Sequence, residues 1–225
     1  MPTLRQIKIG PIVRGERDRR TYGDVFRHRE AREMRHWLEA RLARKVDEAG
    51  PPCSGRVTRC YKGLGRQFHD LDGHSALVKC FLQQRSRMPV SLDRLDVAIH
   101  VRLGDFTAPI ANAANQNSRV PLQWYRDAVA LALDTLGRKQ VRGVLFTDED
   151  PERVIADLGL NGFLPEPPGN ALTSMLQLGQ ADILIGSRST FSLWGRFLGA
   201  QSAIWPAGFD LARYAPVEAG RDIFL

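Results

Sequence analysis

An imidazole and a guanidinium, His100 and Arg102, stand two residues apart at the end of the apolar run DVAIHVR. A guanidinium is always charged and can pair two oxygens at once, which suits a diphosphate whose charge grows as it departs. Alternation along a strand predicts that both side chains project to one side. The other role open to Arg102 is an ion pair with Asp105 that holds the turn. A second cluster, GSRSTFS from Gly186 to Ser192, leaves one apolar run and enters a helical one. Free N–H groups at a helix start, the helix dipole and the hydroxyls of Ser187, Ser189 and Thr190 together form an anion site. Ser189 or Thr190 can also serve as an ordinary cap, and the two roles are compatible.

The third cluster is TDED, from Thr147 to Asp150. Asp148 and Asp150 make a DxD pattern, which can hold a divalent cation between donor phosphates. Asp150 precedes Pro151 where a helix cap belongs, so capping is the simpler reading and no metal is expected. Gly63 and Gly65 lack the third glycine of a dinucleotide fingerprint, and His28, His36, His69 and His74 share no metal-ligand spacing. GxSxG, GKS, GKT and HExxH patterns are absent, which removes several hydrolase classes.

The elements that must position these clusters follow from periodicity. Asp96 to Arg102 reads as a strand buried on both faces. A polar loop from Leu103 to Val120 leads to a helix whose apolar positions include Leu122, Tyr125, Ala128, Ala132 and Leu136, begun by Pro121. Val141 to Asp148 is strand-like, and Asp150, Pro151 and Gly159 bound the next helix. A short helix around Leu172 to Leu176, a strand from Ala181 to Gly186, a helix from Ser189 to Gly199 and a strand from Ser202 to Pro206 complete the series. Strands alternating with helices predict a parallel, Rossmann-like sheet. Upstream, an amphipathic helix is expected from about Asp24 to Val46, its apolar stripe containing Met34, Trp37, Leu38 and Leu42. GPPCSG, from Gly50 to Gly55, is the best linker.

With 225 residues, 43% hydrophobic and 25% charged, the chain belongs with ordinary globular proteins and can form one large or two small domains. Its net charge of +7 makes an anionic partner plausible without choosing among nucleotide, nucleic acid and membrane surface. Three cysteines, Cys53, Cys60 and Cys80, match neither zinc nor CxxC spacing and read as reduced thiols. No apolar run is long enough for a membrane span or a signal peptide core, so a cytoplasmic location is expected, with peripheral contact at the inner membrane face as an option.

Taken together, the motifs resemble the α1,2- and α1,6-fucosyltransferase superfamily, most closely bacterial glycosyltransferase family 11. VAIHVRLGDF is similar to that family's strand ending in H-V-R-R-G-D-Y, and PLQWYRDAV to its L-P-x-x-Y-Y-x-x-A helix. VLFTDED resembles its F-S-D-D strand end, and Leu172 to Gly199 the block closing in N-S-T-F-S-W-W-A-A-W-L. The order of the four blocks is more specific than any one of them, and they span Asp96 to Pro206.

This resemblance implies an α/β, GT-B-like glycosyltransferase. A reduced N-terminal lobe, residues 1–92, would form the acceptor side, and a Rossmann-like lobe, residues 93–225, would bind a GDP-sugar. It implies inverting transfer from a fucosyl donor, no metal and no cofactor beyond the donor substrate. The expected partners are a nucleotide-sugar and a glycan acceptor, with no nucleic acid. Arg102 falls on the arginine that grips the diphosphate and His100 on the histidine beside the nucleotide. Asp105 takes the motif aspartate and, with Arg102, is the catalytic expectation. Asp148, Ser187, Arg188, Ser189, Thr190 and Ser192 are expected on the donor. Two departures stand out: Leu103 replaces the family's second arginine, with Arg188 as a substitute charge, and GLGRQF echoes a G-L-G-N-Q-M-F loop but lies too close to His100. A non-catalytic scaffold that binds a nucleotide or a partner is the alternative.

Overall fold

The computed structural model describes residues 68, 69, 71–86, 93–104 and 119–225, the backbone of two strands at 44–47 and 57–60, and the helical residues Arg35, Leu38 and Leu42. Asp105, most of the loop after Leu103, the 50–55 linker, Gly63, Gly65, His28 and His36 lie outside the described residues. The chain divides into two compact units, Met1–Leu64 and Gly65–Leu225.

In the first unit, β1 (Arg44–Asp47) pairs in parallel with β2 (Val57–Cys60), Val46 opposite Arg59. The upstream helix therefore does not reach Val46 as its periodicity predicts, because cross-strand pairing overrides local preference there. Leu38 and Leu42 are exposed, not the packed stripe expected of them.

The second unit contains α1 (Ser75–Arg85), β3 (Leu95–Val101), α2 (Leu122–Leu136), β4 (Gly143–Thr147), α3 (Pro151–Leu158) and β5 (Phe163–Pro165). It continues with α4 (Ala171–Leu178), β6 (Ala181–Ile185), α5 (Thr190–Leu198), β7 (Ser202–Trp205), a 3-10 turn (Leu211–Arg213) and β8 (Asp222–Phe224). Six parallel strands form one sheet in the order β5-β4-β3-β6-β7-β8. The fold is thus α/β with a Rossmann-like sheet. The chain lays β4 and β5 outward from β3, then returns to place β6 on the other side. Connections leaving β3 and β6 consequently part in opposite directions and leave a crevice beyond the strand tips.

Parity along β3 decides which layer each residue meets. Val97, Ile99 and Val101, with Leu145, Ile183, Ile185 and Ile204, pack on Tyr125, Ala128 and Ala132 of α2 and Val154 and Leu158 of α3. On the opposite face Leu184 meets α5 where Gly195 leaves room: a Cβ there would lie 2.6 Å from Leu178 and 3.2 Å from Leu184. Helix α1 packs outside α4 and α5, and Phe68 wedges against Trp194 and Phe197 with ring centroids 5.1 and 5.2 Å away. The starts of α3, α4 and α5 are capped by side chains: Asp150 accepts from Glu152 N–H, Asn170 and Thr173 form a reciprocal capping box, and Ser189 accepts from Phe191 N–H.

The last strand is tied down by charge. Arg196 of α5 donates through Nε to Asp222 Oδ1 at 2.6 Å and through a terminal nitrogen to Oδ2 at 2.5 Å. Trp205 Nε1 and Glu218 N–H donate to the same carboxylate at 3.0 and 2.9 Å. Burial pushes the Asp222 carboxyl up, but these donors and the Arg196 charge together hold it below its ordinary range. No helix among the described residues is long and apolar enough to cross a membrane.

Candidate functional site

The crevice between β3 and β6 is floored by a buried polar cluster. His100, the penultimate residue of β3, is 4% exposed, while Ser187 and Ser192, at the tip of β6 and in the first turn of α5, are 1% and 0% exposed. The imidazole Nδ1 lies 2.7 Å from Ser192 Oγ and 3.1 Å from Ser187 Oγ; the two hydroxyls are 3.3 Å apart, and Ser187 N–H donates to Ser192 Oγ at 3.0 Å. Phe191 covers one side of the ring, centroids 5.0 Å apart. Burial, then the nearby Arg102 charge, lower the His100 pKa to about 3, so the ring is neutral at physiological pH. Close approach at this tip requires Gly186, since a Cβ there would lie 2.5 Å from the Trp205 ring.

Arg102 lies just past the end of β3 and reaches the other neighbouring strand. Its Nε is 3.0 Å from Asp148 Oδ2, with side-chain exposures of 13% and 24%. Asp148 also accepts from Leu103 N–H at 2.9 Å and Gly104 N–H at 3.2 Å. Arg102 and His100 take different partners, Asp148 after β4 for the first and the β6–α5 junction for the second. They fan toward β4 and β6. Among the described residues Arg102 pairs with Asp148 at this turn; Asp105, the partner expected from sequence, lies outside them. The DxD pair likewise diverges, Asp148 binding Arg102 and the turn while Asp150 caps α3.

Ser189 is the α5 cap, with its hydroxyl 3.2 Å from Phe191 N. Thr190 is exposed at the first helical position. Arg188 donates to Ala207 O at 3.0 Å. Leu103 packs against the apolar cluster of β3 and α2, so no cation stands where the resembled motif has its second arginine.

Two further groups, Tyr125 and Phe191, touch the site without a sequence mark, and a third, Glu166, lies at the tip of β5. Tyr125 of α2, 1% exposed, places its hydroxyl 3.4 Å from the His100 carbonyl. Burial raises its pKa; the Arg102 N–H opposes this, as does the Arg188 charge, while Asp148 adds to it. The phenol thus stands among the groups that the motifs bring to this end of the sheet. The available signal was a hydroxyl inside an otherwise apolar stripe. Glu166 follows the tip of β5, and burial raises its carboxyl despite a hydrogen bond from Ser174. A three-residue strand was too short to mark Glu166 as a strand-tip acid. Phe191, against His100, carries no sequence signal beyond its place in a helical run.

Among the described residues no group of three or more His, Cys, Asp or Glu could hold a metal ion. His69 and His74 make hydrogen bonds to the backbone carbonyls of Ala212 and Asp72.

No protein-family model matches the sequence. No curated protein matches it either. Among solved structures the chain is similar to POFUT1 in complex with GDP-fucose, with 14% identity and a TM-score of 0.35, over 68% of this chain and 46% of that one. The POFUT1 apo-form is similar with a TM-score of 0.33, also at 14% identity and covering 68% and 46%. The chain therefore spans about half the length of the proteins it matches.

Proposed function

We propose that the chain is a GT-B-like glycosyltransferase that moves a sugar, L-fucose first among the candidates, from a GDP-sugar to a glycan hydroxyl. The observation that carries this reading is the meeting of two clusters at one switch point: the β3 tip bearing His100 and Arg102, and the β6–α5 junction bearing Ser187, Arg188 and the Ser189 cap. Their motif order, shared with the resembled family, selects a nucleotide-sugar from the anions such a crevice could take.

The mechanism is an in-line displacement without a metal. An acceptor hydroxyl attacks the anomeric carbon as the GDP oxygen leaves, inverting configuration. Arg102 binds the diphosphate and, with the α5 start, stabilises the charge growing on it. Asp148 holds the Arg102 guanidinium in place through the same carboxylate that fixes the Leu103 and Gly104 turn. Arg188 supplies the second cation that Leu103 lacks, and Thr190 lies at the exposed helix start. Asp105 is the proposed base that takes the proton of the acceptor hydroxyl.

Incubating the protein with GDP-fucose and a glycan mixture and following GDP release in EDTA tests this directly. Release above the hydrolysis background, lost in Arg102→Ala, is expected. A second reading, a scaffold that binds a nucleotide without turnover, is favoured by the apolar packing of Leu103. Binding of GDP-fucose without transfer to any acceptor would select it.

A further inference from the structure

The serines of the site cluster face inward. Ser192 is fully buried and Ser187 nearly so, and both hydroxyls lie against one nitrogen of one ring, His100 Nδ1. Counting protons decides which way these bonds run. Ser192 Oγ already accepts the Ser187 N–H. If Nδ1 carried the imidazole proton, it would have to donate into this pair, and one of the two serine hydroxyls would be left with no acceptor among these atoms. If Nδ1 is bare, Ser192 O–H donates to it at 2.7 Å, Ser187 O–H donates to Ser192 Oγ at 3.3 Å, and every proton in the cluster is used. The imidazole proton then resides on Nε2. That atom has no hydrogen-bond partner among the described residues and is not a sealed, unsatisfied atom.

We infer that Ser187 and Ser192 are positioning residues that lock His100 as the Nε2–H tautomer, so that it offers one neutral donor to an acceptor atom of the bound ligand. The two hydroxyls act through the ring and do not touch the ligand. Which nitrogen of a buried histidine carries the proton is set by what the other nitrogen meets, and here two hydroxyls and a backbone N–H fix it. Phe191 on one side of the ring limits its rotation. A neutral donor discriminates by chemistry: it accepts a phosphoryl or carbonyl oxygen or a ring nitrogen lone pair, and rejects a group that itself carries a proton at that place. The ligand half of this inference rests on the nucleotide reading above; the tautomer half does not.

Long-range proton–nitrogen correlation spectra of the full chain, labelled with nitrogen-15 at histidine, report the tautomer directly. The His100 signals are assigned by their loss in His100→Asn. A protonated Nε2 beside an unprotonated Nδ1 is expected, and a protonated Nδ1 overturns the inference. GDP is then added. The Nε2–H signal should move, and the double variant Ser187→Ala with Ser192→Ala, which removes both hydroxyls within reach of Nδ1, should weaken GDP binding roughly tenfold, the cost of one misdirected hydrogen bond. Unchanged affinity in the folded double variant would contradict the positioning role. If the wild-type chain fails to bind GDP, the nucleotide reading falls while the spectrum still decides the tautomer.

Discussion

Helix α5 carries two buried polar clusters one turn apart, and they are built differently. At its start, Ser192 joins Ser187 and His100 in a neutral cluster beneath the crevice. Four residues on, Arg196 meets Asp222 in an ion pair that is 5% and 0% exposed. Both oxygens of Asp222 are used twice, by Arg196 with Trp205 and by Arg196 with Glu218 N–H. That cluster is closed, and it fastens an edge strand. The His100 cluster is closed only on its inner side. Its Nε2 has no hydrogen-bond partner among the described residues, and that is the atom the inference above assigns to the ligand.

Breaking the closed cluster should have the largest effect. Asp222→Ala leaves the buried Arg196 charge only the half-exposed Glu218 carboxylate, 3.2 Å away, and is expected to cost about 3 kcal/mol, read as a lower urea midpoint. A loss under about 1 kcal/mol would mean that the pair is not the brace described. Gly186→Ala forces a Cβ to 2.5 Å from the Trp205 ring between the two clusters, for an expected loss of about 1–3 kcal/mol in the same measurement.

The open cluster should respond to acid. Burial lowers the folded pKa of His100 to about 3 from the ordinary 6.5, so the unfolded chain binds the proton more readily between these values. Stability from this source is present above pH 6.5 and falls as pH drops toward 3, by up to about 1.4 kcal/mol per pH unit. Urea midpoints at pH 7 and pH 5 should therefore differ by about 1–2 kcal/mol beyond the difference seen in His100→Asn. An equal pH dependence in both proteins would remove His100 from the account. The smallest effect is expected at Asp148→Asn, because the Arg102 pair is part-exposed and such pairs contribute about 1 kcal/mol or less. Thermal melting reads it, and a loss as large as that of Asp222→Ala would erase the contrast between the clusters.

Much of this architecture is legible in the sequence, for local reasons. The strands β3, β4, β6 and β7 are apolar runs bounded by polar residues, and α2, α3 and α5 carry start and stop signals in Pro121, Asp150, Ser189, Gly137 and Gly159. The rule that polar residues ending buried strands deserve scrutiny finds His100, Arg102, Asp148 and Ser187. What it misses depends on tertiary contact. The strands β5 and β8 have three residues each, too few for a period, and are defined by the neighbour they pair with. Helix α1 exposes Leu77 and so lacks a clean apolar stripe. The direction of Arg102 is set by a carboxylate 46 positions later, and the inward turn of Ser192 by a histidine 92 positions earlier. Spacing along the chain carries neither.

Calorimetric titration of the protein with GDP tests the central claim most directly, with Arg102→Ala measured alongside. Binding tighter than about 1 mM, weakened at least roughly tenfold in the variant, is predicted for a guanidinium that pairs with the diphosphate. No binding below the millimolar range, or an affinity untouched by the loss of Arg102, would contradict it.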